Sequence, residues 1–128
     1  MNRISNVLVP DRQINAERRN DERFWINEML EMQRSLQKRY EDKWGGLSPE
    51  ICTNQLLWMI GEIGEVIDII KKNGAEAASQ ESNQRERLVE ELADVLMYYN
   101  DVLLCYGISA DELKKAYVQK FHTNMTRW

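Results

Sequence analysis

Two acidic pairs stand where a soluble helix normally buries leucine. Glu62-x-x-Glu65 lies within LLWMIGEIGEVIDII, and Glu91-x-x-Asp94 lies within LVEELADVLMYYNDVLL. Residues three apart share one face of a helix, so each pair presents two carboxylates side by side. Packing the two helices together would bring four carboxylates to one point. Unpaired in an apolar groove, they repel one another and are costly to desolvate. A hard divalent cation removes both problems. Mg2+, with Mn2+ as a substitute, suits such an oxygen site where phosphates are involved. The pattern points to metal-assisted phosphate chemistry.

An acidic pair on its own says little. With 21 acidic residues in 128, roughly three such pairs arise by chance, mostly on solvated faces. The setting of these two is different. Leu56, Ile60, Ile63, Ile67 and Ile70 form one apolar face of the first motif's helix. Glu62 and Glu65 share another face with Trp58, Val66 and Ile69, so both sides of this helix are expected to be buried. In the second motif's helix, Leu92, Leu96, Tyr99 and Leu103 make the expected core stripe. Glu91, Asp94, Tyr98 and Asp101 share a second stripe. No Lys or Arg occurs from Glu50 to Ile70 or from Leu88 to Leu113, which argues against pairing of these acids with bases across the helices. Asp101 is a fifth candidate metal ligand, or a group behind the ligands that orients a water. Tyr98 reads as packing. A di-iron bundle would need Glu-x-x-His ligands, and the single histidine, His122, is expected to face solvent.

Four helices are needed to position these residues. The first runs from about Glu17 to Asp42, with Trp25, Met29, Met32, Leu36 and Tyr40 at the spacing of one buried stripe. Trp44-Gly45-Gly46 ends it. Ser48-Pro49 opens the second, serine as cap and proline at the first helical position. Asn73-Gly74 closes it, with Lys71 and Lys72 suited to its dipole. Residues 75–82 read as a polar connection. Asn83 and Glu86 resemble a capping box opening the third helix, which stops at Tyr106-Gly107. Ser109-x-x-Glu112 is a second box, opening the last. No strand-like alternation competes, so the fold class is all-α. Residues 1–16 read as an irregular arm, and residues 17–128 as one helical domain.

Composition narrows the function classes. The chain is 43% hydrophobic and 30% charged, as expected of a soluble globular domain. A net charge of −4 argues against a nucleic-acid binder, which needs a basic footprint. A small polyphosphate remains a suitable ligand, because a bound cation reverses the local potential. No apolar run approaches the ~18 residues of a membrane span. Cys52 and Cys105 both fall in predicted helix and read as small buried side chains in a reducing cytoplasm.

The tandem motif, Glu-x-x-Glu followed after some two dozen residues by Glu-x-x-Asp, resembles that of the MazG-like all-α nucleoside triphosphate pyrophosphohydrolases. That group includes dCTP pyrophosphatases and dimeric dUTPases. The resemblance covers about residues 20–128. It implies a four-helix bundle completed by oligomerisation, as a homodimer or homotetramer. It also implies that Glu62, Glu65, Glu91 and Asp94 hold Mg2+, while a nucleoside triphosphate is cleaved to monophosphate and pyrophosphate for house-cleaning or pool control. Asn54, eight residues before Glu62, matches an asparagine near the nucleoside, and Trp44 matches a loop tryptophan. Lys120, Asn124 and Arg127 resemble a basic tail element that reaches the phosphates. The fuller pattern doubles the first glutamate, whereas Gly61 precedes Glu62 here.

The residues carry the same reading in part. Lys120, Asn124 and Arg127 share a face with Leu113 and Tyr117, so an inward apolar stripe becomes basic at its end. Trp44 and Trp58 are candidates to stack a base, and Asn54 can read a base edge through its amide. Two other classes stay open. One is a non-catalytic helical interaction module with a weak metal site. The other is a phosphohydrolase that releases orthophosphate.

Overall fold

The computed structural model describes residues 24–80 and 83–127. The N-terminal arm, the expected start of the first helix and part of the polar connection lie outside them. The elements are α1 (Ile26–Arg39), α2 (Glu41–Trp44), a 3-10 turn (Pro49–Ile51), α3 (Cys52–Asn73), α4 (Ala75–Ser79), α5 (Asn83–Cys105) and α6 (Ala110–Arg127). All are helical, as expected. The four long ones correspond to those read from the sequence, except that the first does not run on from Glu17: Trp25 is extended and the helix starts at Ile26. The additions are short: α2 extends the first helix past a break at Tyr40, and α4 occupies most of the polar connection.

The helix ends follow local chemistry, with one exception. Gly107, at φ 63, lets the Ile108 amide reach back to the Leu103 carbonyl at 2.9 Å, closing α5 as a glycine stop should. The Ser109 hydroxyl accepts from the Glu112 amide at 3.1 Å, the expected cap of α6. Ser48 departs from expectation. Its side chain makes no cap bond, and its carbonyl accepts from the Ile51 amide instead. Pro49 fixes a tight turn there, and α3 begins only at Cys52.

Helices α3 and α5 form the central pair, with the most extensive contact in the chain. Helix α1 lies on α5, α4 bridges α3 and α5, and α6 packs on α1. The buried side chains include Leu30, Cys52, Ile69, Ala78, Leu103 and Cys105. Two expected core stripes are corrected here. Leu56, Ile60, Ile63, Ile67 and Ile70 are all exposed in the single chain, Ile60 by 61%. Leu92, Leu96 and Tyr99 are exposed too, leaving only Leu103 of that stripe inside. The reason is geometric. Each central helix is apolar nearly all round, but one chain supplies neighbours for only one side.

The stripe of α1 is corrected as well. Met32 and Tyr40 are exposed, while Leu30 and Gln33 are buried. The helix is rotated so that a polar glutamine points inward, toward a buried carboxylate described below. Tyr117, expected on the inward face of α6, is exposed. Among the described residues, no helix is long and apolar enough to cross a membrane.

Candidate functional site

The central pair carries both acidic motifs, and their contact brings most of the carboxylates together. Ligand oxygens of Glu62, Glu91 and Asp94 lie within 4.8 Å of one another. Glu65 does not join them and is exposed. Three residues turn a helix by about 300°, so Glu65 sits about 60° round the axis from Glu62 and one turn along. The expected convergence of four is met by three.

Among the described residues no base is paired with this trio. The ion pairs between described residues join Arg34 to Glu31, Lys72 to Asp68 and Lys115 to Asp111, each along one helix. The charges therefore act on one another. The Glu62 carboxyl is raised above its ordinary value, first by burial, then by the Glu91 side chain hydrogen-bonded to it, and then by the charges of Asp94, Glu91 and Glu65. Like charges held this close favour a proton or a cation. Three hard oxygen donors from two rigid helices fit a divalent cation that prefers oxygen ligands at about 2.0–2.6 Å, with remaining positions left for water or phosphate. No histidine or cysteine belongs to the set, so the donor chemistry favours Mg2+ or Mn2+ over softer metals.

Next to the trio lies a cavity of about 400 Å³, within the usual size range for a small-molecule site. Asp94 belongs to both. The cavity is also lined by Trp44, Trp58, Met97, Tyr98 and Asp101, and by Gln33, Gln37 and Gln55. Trp44 is half exposed and packs its ring near Tyr40 at 4.8 Å between centroids. Trp58 is 61% exposed. Both expected stackers thus border the same space with large open ring area. Tyr98 sits among the acids: its hydroxyl is raised by burial and by the charges of Glu62, Asp101 and Asp94.

Asp101 is placed differently from the trio. It is only 2% exposed. Its Oδ1 accepts from Gln33 Nε2 at 2.8 Å and from Gln37 Nε2 at 3.1 Å. Its Oδ2 accepts from Gln55 Nε2 at 2.8 Å. Burial raises the carboxyl, and the three amide bonds partly offset that. Asp101 stands outside the cluster, with both oxygens engaged.

The remaining expected residues lie apart. Asn54 is exposed and is not among the lining residues; its neighbour Gln55 is. Lys120, Asn124 and Arg127 are exposed on α6, which packs on α1, and none lines the cavity at Asp94. The three glutamines were not singled out from sequence. A signal existed: Asp101 sits on an apolar helix without bases nearby, so its donors had to be amides on the facing helices.

Cys52 and Cys105 are free and buried. They are close enough to hydrogen-bond, and burial followed by the Cys52 charge pushes the Cys105 thiol up to about 11. Cys105 is therefore inert as a nucleophile at neutral pH. His122 is exposed, as expected.

The sequence model of one family, the MazG nucleotide pyrophosphohydrolase domain, matches residues 52–125. That span contains α3, α4, α5 and nearly all of α6, with both acidic motifs. No curated protein and no solved structure matches the chain.

Proposed function

The chain belongs to the MazG nucleotide pyrophosphohydrolase family, and on that premise we propose that it hydrolyses a (deoxy)nucleoside triphosphate to the monophosphate and pyrophosphate, with Mg2+ or Mn2+. One observation carries the reading. Three carboxylates from two helices, with no basic partner among the described residues, adjoin through Asp94 a cavity that Trp44 and Trp58 also line. Glu62, Glu91 and Asp94 would hold the cation, with Glu65 one turn along adding negative charge. When bound, a divalent cation draws charge from phosphate oxygens and acidifies water.

The chain's own residues do the rest. Trp44 and Trp58 flank the base and fix its plane. That leaves the triphosphate directed at Asp94, which both the cavity and the cluster share. Holding the reacting group in place supplies much of the catalysis in phosphoryl transfer. Asp101 has both oxygens occupied by amides, so it shapes the wall rather than accepting a proton. Asn54 stands beside Gln55, where its amide can meet the nucleoside from outside.

We propose further that the working unit is a homodimer or homotetramer. Ten or so large apolar side chains on α3 and α5 are exposed in one chain, among them Leu57, Ile60, Ile67, Val89 and Leu92. A monomer rarely exposes so much contiguous apolar surface, and a symmetric copy would cover it. Lys120, Asn124 and Arg127 would then act on the phosphates of a neighbouring copy's site. Free, buried cysteines fit action in the reducing cytoplasm.

The test is product identity. The purified chain with Mg2+ is given a panel of nucleoside triphosphates and the products are separated by chromatography. Monophosphate with pyrophosphate is expected. Diphosphate and orthophosphate as the only products would sink the reading. Sedimentation equilibrium at micromolar concentration tests the assembly, where an active species at the 15.2 kDa chain mass would refute it.

A further inference from the structure

Gln33, Gln37 and Gln55 come from two helices and meet on one carboxylate. An ionised carboxylate only accepts, so each amide must turn its nitrogen toward Asp101, and the bonds of 2.8, 3.1 and 2.8 Å are formed that way. A flipped amide would press its carbonyl oxygen against a carboxylate oxygen. Asp101 therefore fixes the orientation of all three amides, which amides otherwise leave free.

The consequence lies at the other end of each side chain. Each Oε1 is turned off Asp101. None of the three makes a hydrogen bond in the structure, and none is sealed from solvent. Each nitrogen already gives one N–H to Asp101, so the amide atoms left with no partner at all are the three oxygens, and what they accept is a donor. All three side chains line the cavity that Trp44, Trp58 and Asp94 also line.

We propose that this wall selects the base: the cavity takes nucleotides with an exocyclic amino group at the pyrimidine 4-position or purine 6-position, and disfavours the oxo analogues. The proposal rests on the nucleotide reading above and deepens it by naming the substrate class. An amino group brings two N–H donors to unpaired amide oxygens. An oxo group brings no donor at that position and leaves those oxygens unpaired. Sites built to hydrogen-bond a substrate N–H discriminate strongly, because the analogue strands buried polar groups. Asp101 touches no base in this account. It is a positioning residue that acts through the glutamines.

The experiment uses the full chain in metal-free buffer with nucleoside monophosphates, so that binding is read without hydrolysis. Calorimetry compares CMP with UMP and AMP with IMP, each pair exchanging amino for oxo at one ring position and a bare ring nitrogen for N–H at the next. The amino member of each pair should bind at least about tenfold more tightly. Asp101→Asn places an amide that can both donate and accept, which frees the glutamines to flip, and the ratio should fall toward one. A merely structural role would weaken both members equally and leave the ratio intact. Gln55→Met removes one acceptor and leaves the Gln33 and Gln37 bonds to Asp101 Oδ1 in place, and should also lower the ratio if Asp101→Asn does not fold. Equal or tighter binding of UMP and IMP, binding of neither member, or a ratio unchanged in both folded variants would overturn the proposal. Selective binding without any triphosphate hydrolysis would instead remove the reaction and leave base selection standing.

Discussion

Asp101 and the Glu62–Glu91–Asp94 cluster both lie on the central helix pair, and they meet the cost of removing a carboxylate from water in opposite ways. Asp101 is almost wholly buried and is served by three amide N–H groups. The cluster is more open, has no basic partner among the described residues, and sets its charges against one another. A carboxylate whose lone pairs are filled by the protein has been assigned to the protein's own architecture. Carboxylates brought together without donors have not, and what completes them must come from outside. The difference separates a wall from a ligand set more sharply than residue type does, since all four are acids on helices.

The comparison breaks most readily at the cluster. Glu62→Gln or Asp94→Asn removes one hard anionic ligand with little change of shape. Activity should fall by more than the roughly 10–100-fold typical of partners that merely support a ligand, as read by steady-state pyrophosphate release. A fully active Asp94→Asn enzyme would end the metal-site reading. At Asp101 the main effect should be on the fold. Asp101→Leu keeps the approximate shape but strands three amide donors, and should destabilise by about 3 kcal/mol in urea unfolding at fixed chain concentration. Unchanged stability would mean that the three glutamines find other partners at no loss.

The sequence made one of these two regions legible and not the other. The cluster depends on spacing: acids three apart in two apolar helices come near one another when those helices pack, and Glu62, Glu91 and Asp94 meet while Glu65 does not. The Asp101 region depends on the rotation of α1, which turns Gln33 inward in place of Met32. A stripe of Trp and Met centres the buried face nearer Met32, with Gln33 at its margin, because periodicity weighs apolar residues and ignores what a buried acid requires. The same limit explains the core stripes. Periodicity finds the apolar face of α3 correctly, but a single chain does not reveal which of two apolar faces its own helices will cover. The short helix Ala75–Ser79 escaped because five residues carry too little pattern to mark a turn of helix.

A sharper test compares the effect of neutralising a charge in the two regions. In metal-free buffer, Glu62→Gln should raise the melting temperature, because the substitution relieves repulsion from Asp94, Glu91 and Glu65. Asp101→Leu should lower it under the same conditions. Opposite signs from removing the same charge would establish that the two regions differ in kind. A lower melting temperature for Glu62→Gln would show that the cluster is held by contacts rather than strained by charge.

The smallest expected effect is a pH dependence, and its sign follows from the direction of the shift. Glu62 binds its proton more tightly in the folded chain than in the unfolded one, where its value is near 4.5. The stability that this proton contributes is present in full below that value and is lost as pH rises through the raised one. The metal-free fold should therefore lose stability as pH climbs out of the ordinary carboxylate range, and Glu62→Gln should flatten the slope. A cation competes for the same oxygens and needs them deprotonated. Stabilisation by added Mg2+ should then grow over the same window in which metal-free stability declines. Melting curves from pH 4.5 to 8, with and without Mg2+, measure both trends at once. If the Mg2+ effect were constant across that range, the proton and the cation would not share a site, and the three carboxylates would have to be read as a solvated acidic patch.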